Sequence, residues 1–166
     1  MRQIWAPWRM AYIGAAKEEK CIFCAKIEIE DDRSGLVLAR TPHSLVMLNK
    51  YPYNSCHLMV APKRHTHQLS SLLSEEYVEL CSALQKAVDI LWNALKPGGM
   101  NVGMNLGRCA GAGVEDHLHW HLVPRWEGDT NFMPVLSDVR VMPEHLLASY
   151  DRLHPFFDGF MNGKHD

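Results

Sequence analysis

Three short apolar runs, Gly35-Leu36-Val37-Leu38-Ala39-Arg40, Ser44-Leu45-Val46-Met47-Leu48-Asn49 and His57-Leu58-Met59-Val60-Ala61, have the length and composition of strands. Thr41-Pro42 and Tyr51-Pro52-Tyr53-Asn54 separate them as turns. After Pro62 a polar segment leads to Ser74-Glu75-Glu76-Tyr77, where Ser74 can cap a helix and the two glutamates favour its positive end. Tyr77, Leu80, Cys81, Leu84, Val88, Leu91 and Leu95 then recur at spacings of three and four, which predicts a helix from Ser74 to about Leu95 with one stripe on a sheet. Pro97-Gly98-Gly99 stops it. Met100 to Leu106 alternates weakly as a strand, a glycine-rich loop runs from Gly107 to Gly113, and a last helix is expected from near Pro143 through Tyr150. Strands, one long helix and further strands predict an antiparallel α+β domain rather than a doubly wound sheet.

The sharpest pattern lies between Asp116 and Arg125. As a strand, this segment sends His117, His119, His121 and Val123 to one face, and Leu118, Trp120 and Leu122 to the other. The imidazoles would stand roughly 7 Å apart, twice the rise per residue. Three readings are open. The histidines can be structural, although three on one face after a glycine-rich loop fit a core poorly. They can hold a zinc ion through neutral ring nitrogens. Or the middle one can attack phosphorus, since neutral imidazole is nucleophilic near pH 7 and leaves readily from a phosphoramidate. Gly107-Arg108-Cys109-Ala110-Gly111-Ala112-Gly113 could then offer backbone amides to phosphate oxygens, or be a plain turn.

Composition narrows the classes. The chain has 166 residues, 47% hydrophobic and 22% charged, enough for a sizeable core and no broad disorder. The formal charge is -2 with no basic stripe, which argues against a nucleic-acid partner and leaves a small phosphorylated ligand open. No repeat or linker divides residues 1–166, so one domain is expected. The opening has no continuous apolar core of signal-peptide length and no run is long enough to span a bilayer, so a cytoplasmic protein without a membrane partner is expected. Five cysteines argue against a disulfide framework. Cys21-Ile22-Phe23-Cys24 has the spacing of a two-thiolate knuckle that His65 and His67 could complete, while a redox pair or an unliganded pair is also consistent with it.

These motifs resemble the histidine-triad family of nucleotide hydrolases and transferases, whose signature is His-x-His-x-His followed by apolar residues. Asn49-Lys50-Tyr51-Pro52-Tyr53-Asn54, His57 to Pro62, Asn101 to Gly107, Pro124-Arg125-Trp126 and Gly128 to Met133 are similar to the branch with bacterial diadenosine tetraphosphate phosphorylases. The likeness runs from about Cys21 to Leu147. It implies a five-stranded antiparallel sheet with a long helix and a C-terminal helix, the sheet continuing across a two-fold homodimer. Residues 1–20 would form an N-terminal arm and 127–166 a C-terminal extension.

The resemblance also implies chemistry. His119 would attack the α-phosphorus of a dinucleoside polyphosphate, with an adenine nucleotide the expected substrate class. His121 and His117 would sit beside the phosphates, and water or inorganic phosphate would resolve a nucleotidyl-histidine. Asn49 would contact ribose, Asn105 the phosphates, and Gly111 and Gly113 the phosphate oxygens. Structural zinc on Cys21, Cys24, His65 and His117 is implied, with no organic cofactor. A nucleoside phosphoramidate or AMP-lysine hydrolase is the neighbouring alternative, and a non-catalytic nucleotide-binding regulatory module the more distant one. One departure stands out. Many members carry a Ser or Thr hydroxyl before the triad, where this chain has Gly111-Ala112-Gly113-Val114-Glu115-Asp116. Trp5, Trp8, Tyr12, Trp126 and Phe132 can cover a base or simply pack, and Trp5, Trp8 and Tyr12 could also meet a partner subunit.

Overall fold

The computed structural model describes residues 20–129 and 145–160. Five strands, β1 (Val37–Arg40), β2 (Ser44–Leu48), β3 (Leu58–Pro62), β4 (Gly99–Met104) and β5 (Trp120–Arg125), form one antiparallel sheet in the order β1-β2-β3-β5-β4. The α+β expectation therefore holds. Among the described residues four α-helices accompany it: α1 (Ile22–Glu28), α2 (Asp32–Gly35), α3 (Ser74–Leu95) and α4 (Leu146–Leu153).

Strand parity divides the apolar residues between two faces. Leu38, Val46, Leu48, Leu58, Val60 and Leu122 meet Leu80, Ala83, Ala87 and Leu91 of α3, together with Tyr150, Leu153, Phe157 and Phe160 near the C-terminus. Of the expected stripe on α3, Leu80 and Leu91 are buried and Leu84, Val88 and Leu95 pack against the same core, but Ala83 and Ala87 join it and Tyr77 is exposed. Leu73 rather than Ser74 is the N-cap, and Glu76 accepts its N–H at 2.9 Å to satisfy one orphan donor at the helix start. Lys96, left-handed at φ 46, closes it just before Pro97. Val37, Leu45, Met47, Met59 and Ala61 point to the opposite face, where Phe23 of α1 packs on them.

Several expected boundaries shift for identifiable reasons. The first strand starts at Val37 rather than Gly35 because Asp31 caps a helical turn, accepting the Arg33 and Ser34 N–H groups at 3.1 and 3.2 Å. Leu36 at φ 61 then reverses the chain into β1. Cys21 is the N-cap of α1 and Cys24 lies in its first turn. The triad segment becomes a strand only at Trp120, not at Asp116. Its partner β3 ends in Pro62, which has no N–H for the ladder, and Leu118 N–H turns instead to the Thr66 carbonyl at 2.7 Å. The C-terminal helix covers Leu146–Leu153; Pro143, Trp5, Trp8, Tyr12 and Phe132 lie outside the described residues.

Candidate active site

The site lies on the Phe23 face, at the end of β5 that faces the β3 turn and the glycine-rich loop. His121 pairs with Met59 and Gly103 in the ladder, and Met59 belongs to that face. His119 and His117 precede the strand, and both are buried. All three histidines thus lie on the Phe23 face that strand parity predicts, although two of them lie outside the regular strand.

Each imidazole has one nitrogen committed to a partner, and the partner fixes its tautomer. His119 Nδ1–H donates to the His117 carbonyl at 2.8 Å, which leaves the Nε2 lone pair uncommitted by that bond. His117 Nε2–H donates to the Pro62 carbonyl at 2.7 Å, so its Nδ1 carries the lone pair. A fourth ring, His57, is wholly buried at 0% exposure. Its Nδ1 accepts the Tyr53 N–H at 3.0 Å and faces Asn49 Nδ2 at 3.3 Å. Nε2 must then hold the proton, and it donates to His121 Nδ1 at 2.9 Å. His121 is left with its own proton on Nε2. The rings of His119 and His121 meet edge to face with centroids 4.8 Å apart.

Desolvation keeps these rings neutral. Burial lowers His57 to about 3 and His121 to about 4, with neighbouring histidines adding to it, and burial also lowers His119. Aromatic packing holds the cluster. Phe23 lies 4.9 Å from the ring centroids of both His117 and His119, and Tyr53 stacks on His57 at 4.8 Å.

The His117 ring turns away from the other two toward sulfur. Its Nδ1 lies 3.3 Å from Cys21 Sγ and 3.8 Å from Cys24 Sγ, and His65 Nδ1 lies 3.4 Å from Cys24 Sγ. All four ligand atoms fall within 4.8 Å of one another. A tetrahedral zinc at ordinary bond lengths puts sulfur and nitrogen about 3.5 Å apart, so this donor set fits the ion. Burial and then Cys21 push the Cys24 thiol up, a cost that a bound cation reverses. Of the two candidate histidines beyond Pro62, His65 joins the group and His67 does not. The turn that carries His65 is held by Arg64, which donates to Glu76 at 2.7 Å.

Asn49 is tied into the turn after β2, accepting the Tyr51 N–H at 2.9 Å. Asn105 follows β4 just past its last ladder pair, Met104 with Trp120. Gly111 takes a left-handed φ of 90 in the loop, and Gly113 is exposed. Sequence reasoning missed His57, Tyr53 and Phe23 as parts of the site. The signal for His57 was its parity with Met59 and Ala61, which puts the three on one face of their strand.

The HIT domain model matches residues 31–128, and the chain belongs to this family. It is 38% identical over 154 residues to the AP-4-A phosphorylase of Mycobacterium tuberculosis, covering 88% of this chain and 79% of that one. A zinc-bound histidine triad family protein from Mycobacterium smegmatis superposes with a TM-score of 0.64 at 26% identity, over 86% of this chain and 96% of that one. A hypothetical histidine triad nucleotide-binding protein from Sulfolobus tokodaii has the same fold, with a TM-score of 0.67 at 24% identity over 88% and 100% of the two chains.

Proposed function

We propose that this HIT-family enzyme cleaves dinucleoside polyphosphates of the diadenosine tetraphosphate class at the α-phosphorus through a nucleotidyl-His119 intermediate. The observation that carries the reading is the 2.8 Å bond from His119 Nδ1–H to the His117 carbonyl, which presents Nε2 as the nucleophile. Attack forms an N–P bond and breaks the bond from the α-phosphorus to the bridging oxygen, which departs with the other nucleotide as a phosphate anion. The imidazole gains positive charge, and the His117 carbonyl is already aligned to stabilise it. His121 Nε2–H, its tautomer fixed by His57, can donate to a phosphoryl oxygen. Inorganic phosphate then attacks the same phosphorus, the N–P bond breaks, and His119 returns neutral. With tetraphosphate as substrate the products are ATP and ADP.

Asn49, Asn105, Gly111 and Gly113 are the proposed substrate contacts. The 38% identity to a protein named AP-4-A phosphorylase supports phosphate as acceptor over water. The same reading takes residues 1–166 as one HIT domain with the N-terminal arm and C-terminal extension set out above.

Cys21, Cys24, His65 and His117 are the proposed zinc ligands, and the ion would supply a closed structural cross-link between α1 and the triad segment. A homodimer through the β4 edges would continue the sheet to ten strands. Exposed Val102 on β4 and Trp92 on α3, at 44% and 41%, support a partner there.

The test is incubation with diadenosine tetraphosphate with and without phosphate. ATP plus ADP identifies phosphorolysis, and ATP plus AMP identifies hydrolysis. A labelled nucleotidyl-enzyme should form on the native chain and be absent from His119→Ala; equal labelling of both would sink the mechanism.

A further inference from the structure

The loop between β4 and β5 carries one feature that the reaction above does not use. Because Met104 pairs with Trp120, the chain leaving β4 and the chain reaching His119 run side by side, and residues 105–119 connect them. The loop folds on itself. Arg108–Ala110 form a 3-10 turn, Gly111 N–H donates to the Arg108 carbonyl at 2.9 Å, and Ala112 N–H donates to the Gly107 carbonyl at 3.3 Å. Gly107 and Gly111, at φ 80 and 90, make the two reversals. Arg108 is thereby thrown outward, with its side chain 78% exposed, and Glu115 returns to meet its Nε–H at 2.7 Å.

Charge gives this pair its meaning. The hydrogen bonds at His57 and His121 need a lone pair on Nδ1 of each, so this pair is neutral and brings no positive charge to the site. A polyphosphate carries several negative charges beyond the phosphoryl group under attack. Within residues 105–119 Arg108 is the sole lysine or arginine, beside two carboxylates, Glu115 and Asp116. An exposed ion pair is weak, whereas a guanidinium can give a phosphate two parallel N–H donors. Exchange of Glu115 for phosphate is therefore favourable once a ligand long enough to reach it has bound.

We infer that Arg108 is the specificity-determining residue for phosphate number: it leaves Glu115 for the phosphates beyond the α-position and so selects polyphosphate over monophosphate ligands. Glu115 holds the guanidinium until a phosphate chain long enough to reach it takes its place. The inference rests on the proposed nucleotide site, but it can be read without turnover.

Equilibrium binding of ATP and AMP is measured for the native chain, Arg108→Ala, Arg108→Lys and Glu115→Gln. Arg108→Ala should weaken ATP about tenfold or more, the loss expected for one charge-assisted hydrogen bond, while AMP changes by less than about twofold. Arg108→Lys should restore part of the preference. Glu115→Gln should tighten ATP and leave AMP alone. In turnover, Arg108→Ala should raise KM for diadenosine tetraphosphate and leave KM for adenosine 5′-phosphoramidate as it was. Equal losses for ATP and AMP, or no loss for either, would overturn the assignment. Should the native chain cleave neither substrate, the reaction proposed above fails, and the ATP-to-AMP ratio still decides the role of Arg108.

Discussion

The two faces of the sheet are both buried, but they are filled in opposite ways. Beneath α3 the contact is mostly between aliphatic and aromatic side chains, with Leu48, Leu58, Leu80, Leu91 and Leu122 almost fully covered. On the other face Phe23 closes a smaller apolar cluster, and beside it lie five imidazoles, two thiols and a string of hydrogen bonds. Removing area from water drives the first face, and that force has no direction. The second face depends on angles and proton positions, so its residues hold each other in orientation more than they hold the chain folded. Chemistry should therefore be confined to the second face, while stability draws mainly on the first.

That separation can be attacked from either side. The largest effect is expected on the imidazole face. His119→Ala should reduce turnover by roughly a thousandfold or more while the melting temperature stays close to native, as measured by steady-state kinetics and calorimetry. A collapse of folding together with activity would dissolve the contrast. On the dry face, Leu91→Ala should cost about 2–5 kcal/mol in chemical denaturation, with kcat per folded molecule unchanged.

Acid should act through the imidazole face. His57 is lowered from 6.5 to about 3 by burial first and by His121 and His119 next, so the unfolded chain binds the proton first. Its contribution is therefore complete above 6.5 and falls away as the pH drops through 6.5 toward 3. Near pH 5 the loss is about 2 kcal/mol, and His57→Gln should flatten the profile of stability against pH. Metal removal should come lower still in its effect on chemistry. One zinc per chain is expected by metal analysis, and a chelator should lower the melting temperature by several degrees while changing kcat less than His119→Ala does. Smallest of all, Arg33→Ala, which breaks an exposed pair with Asp151, should leave the melting temperature within error.

Much of this architecture was legible in the sequence because it rests on period. The spacings of three and four from Tyr77 to Leu95 identified α3, and alternation sorted His117, His119 and His121 away from Leu122. What period cannot carry was missed or misplaced. The helical turn at Asp32–Gly35 depends on the Asp31 cap, and the late start of β5 depends on Pro62 lacking an N–H in a different strand. His57 was read as the start of a strand because its importance comes from His121, 64 positions away. Cys21 and Cys24 were visible as a pair. That they start a helix whose Phe23 lies against His119 was not.

The origins of the two fixed tautomers differ in kind. His119 is oriented by a main-chain oxygen, which every amino acid supplies, whereas His121 is oriented by the imidazole of His57, which a single base change can remove. Evolutionary drift can therefore retune the proton on the flanking ring while the nitrogen proposed as nucleophile is sheltered from it. Relatives that diverge in leaving group or acceptor would be expected to vary at the second position and to keep the first.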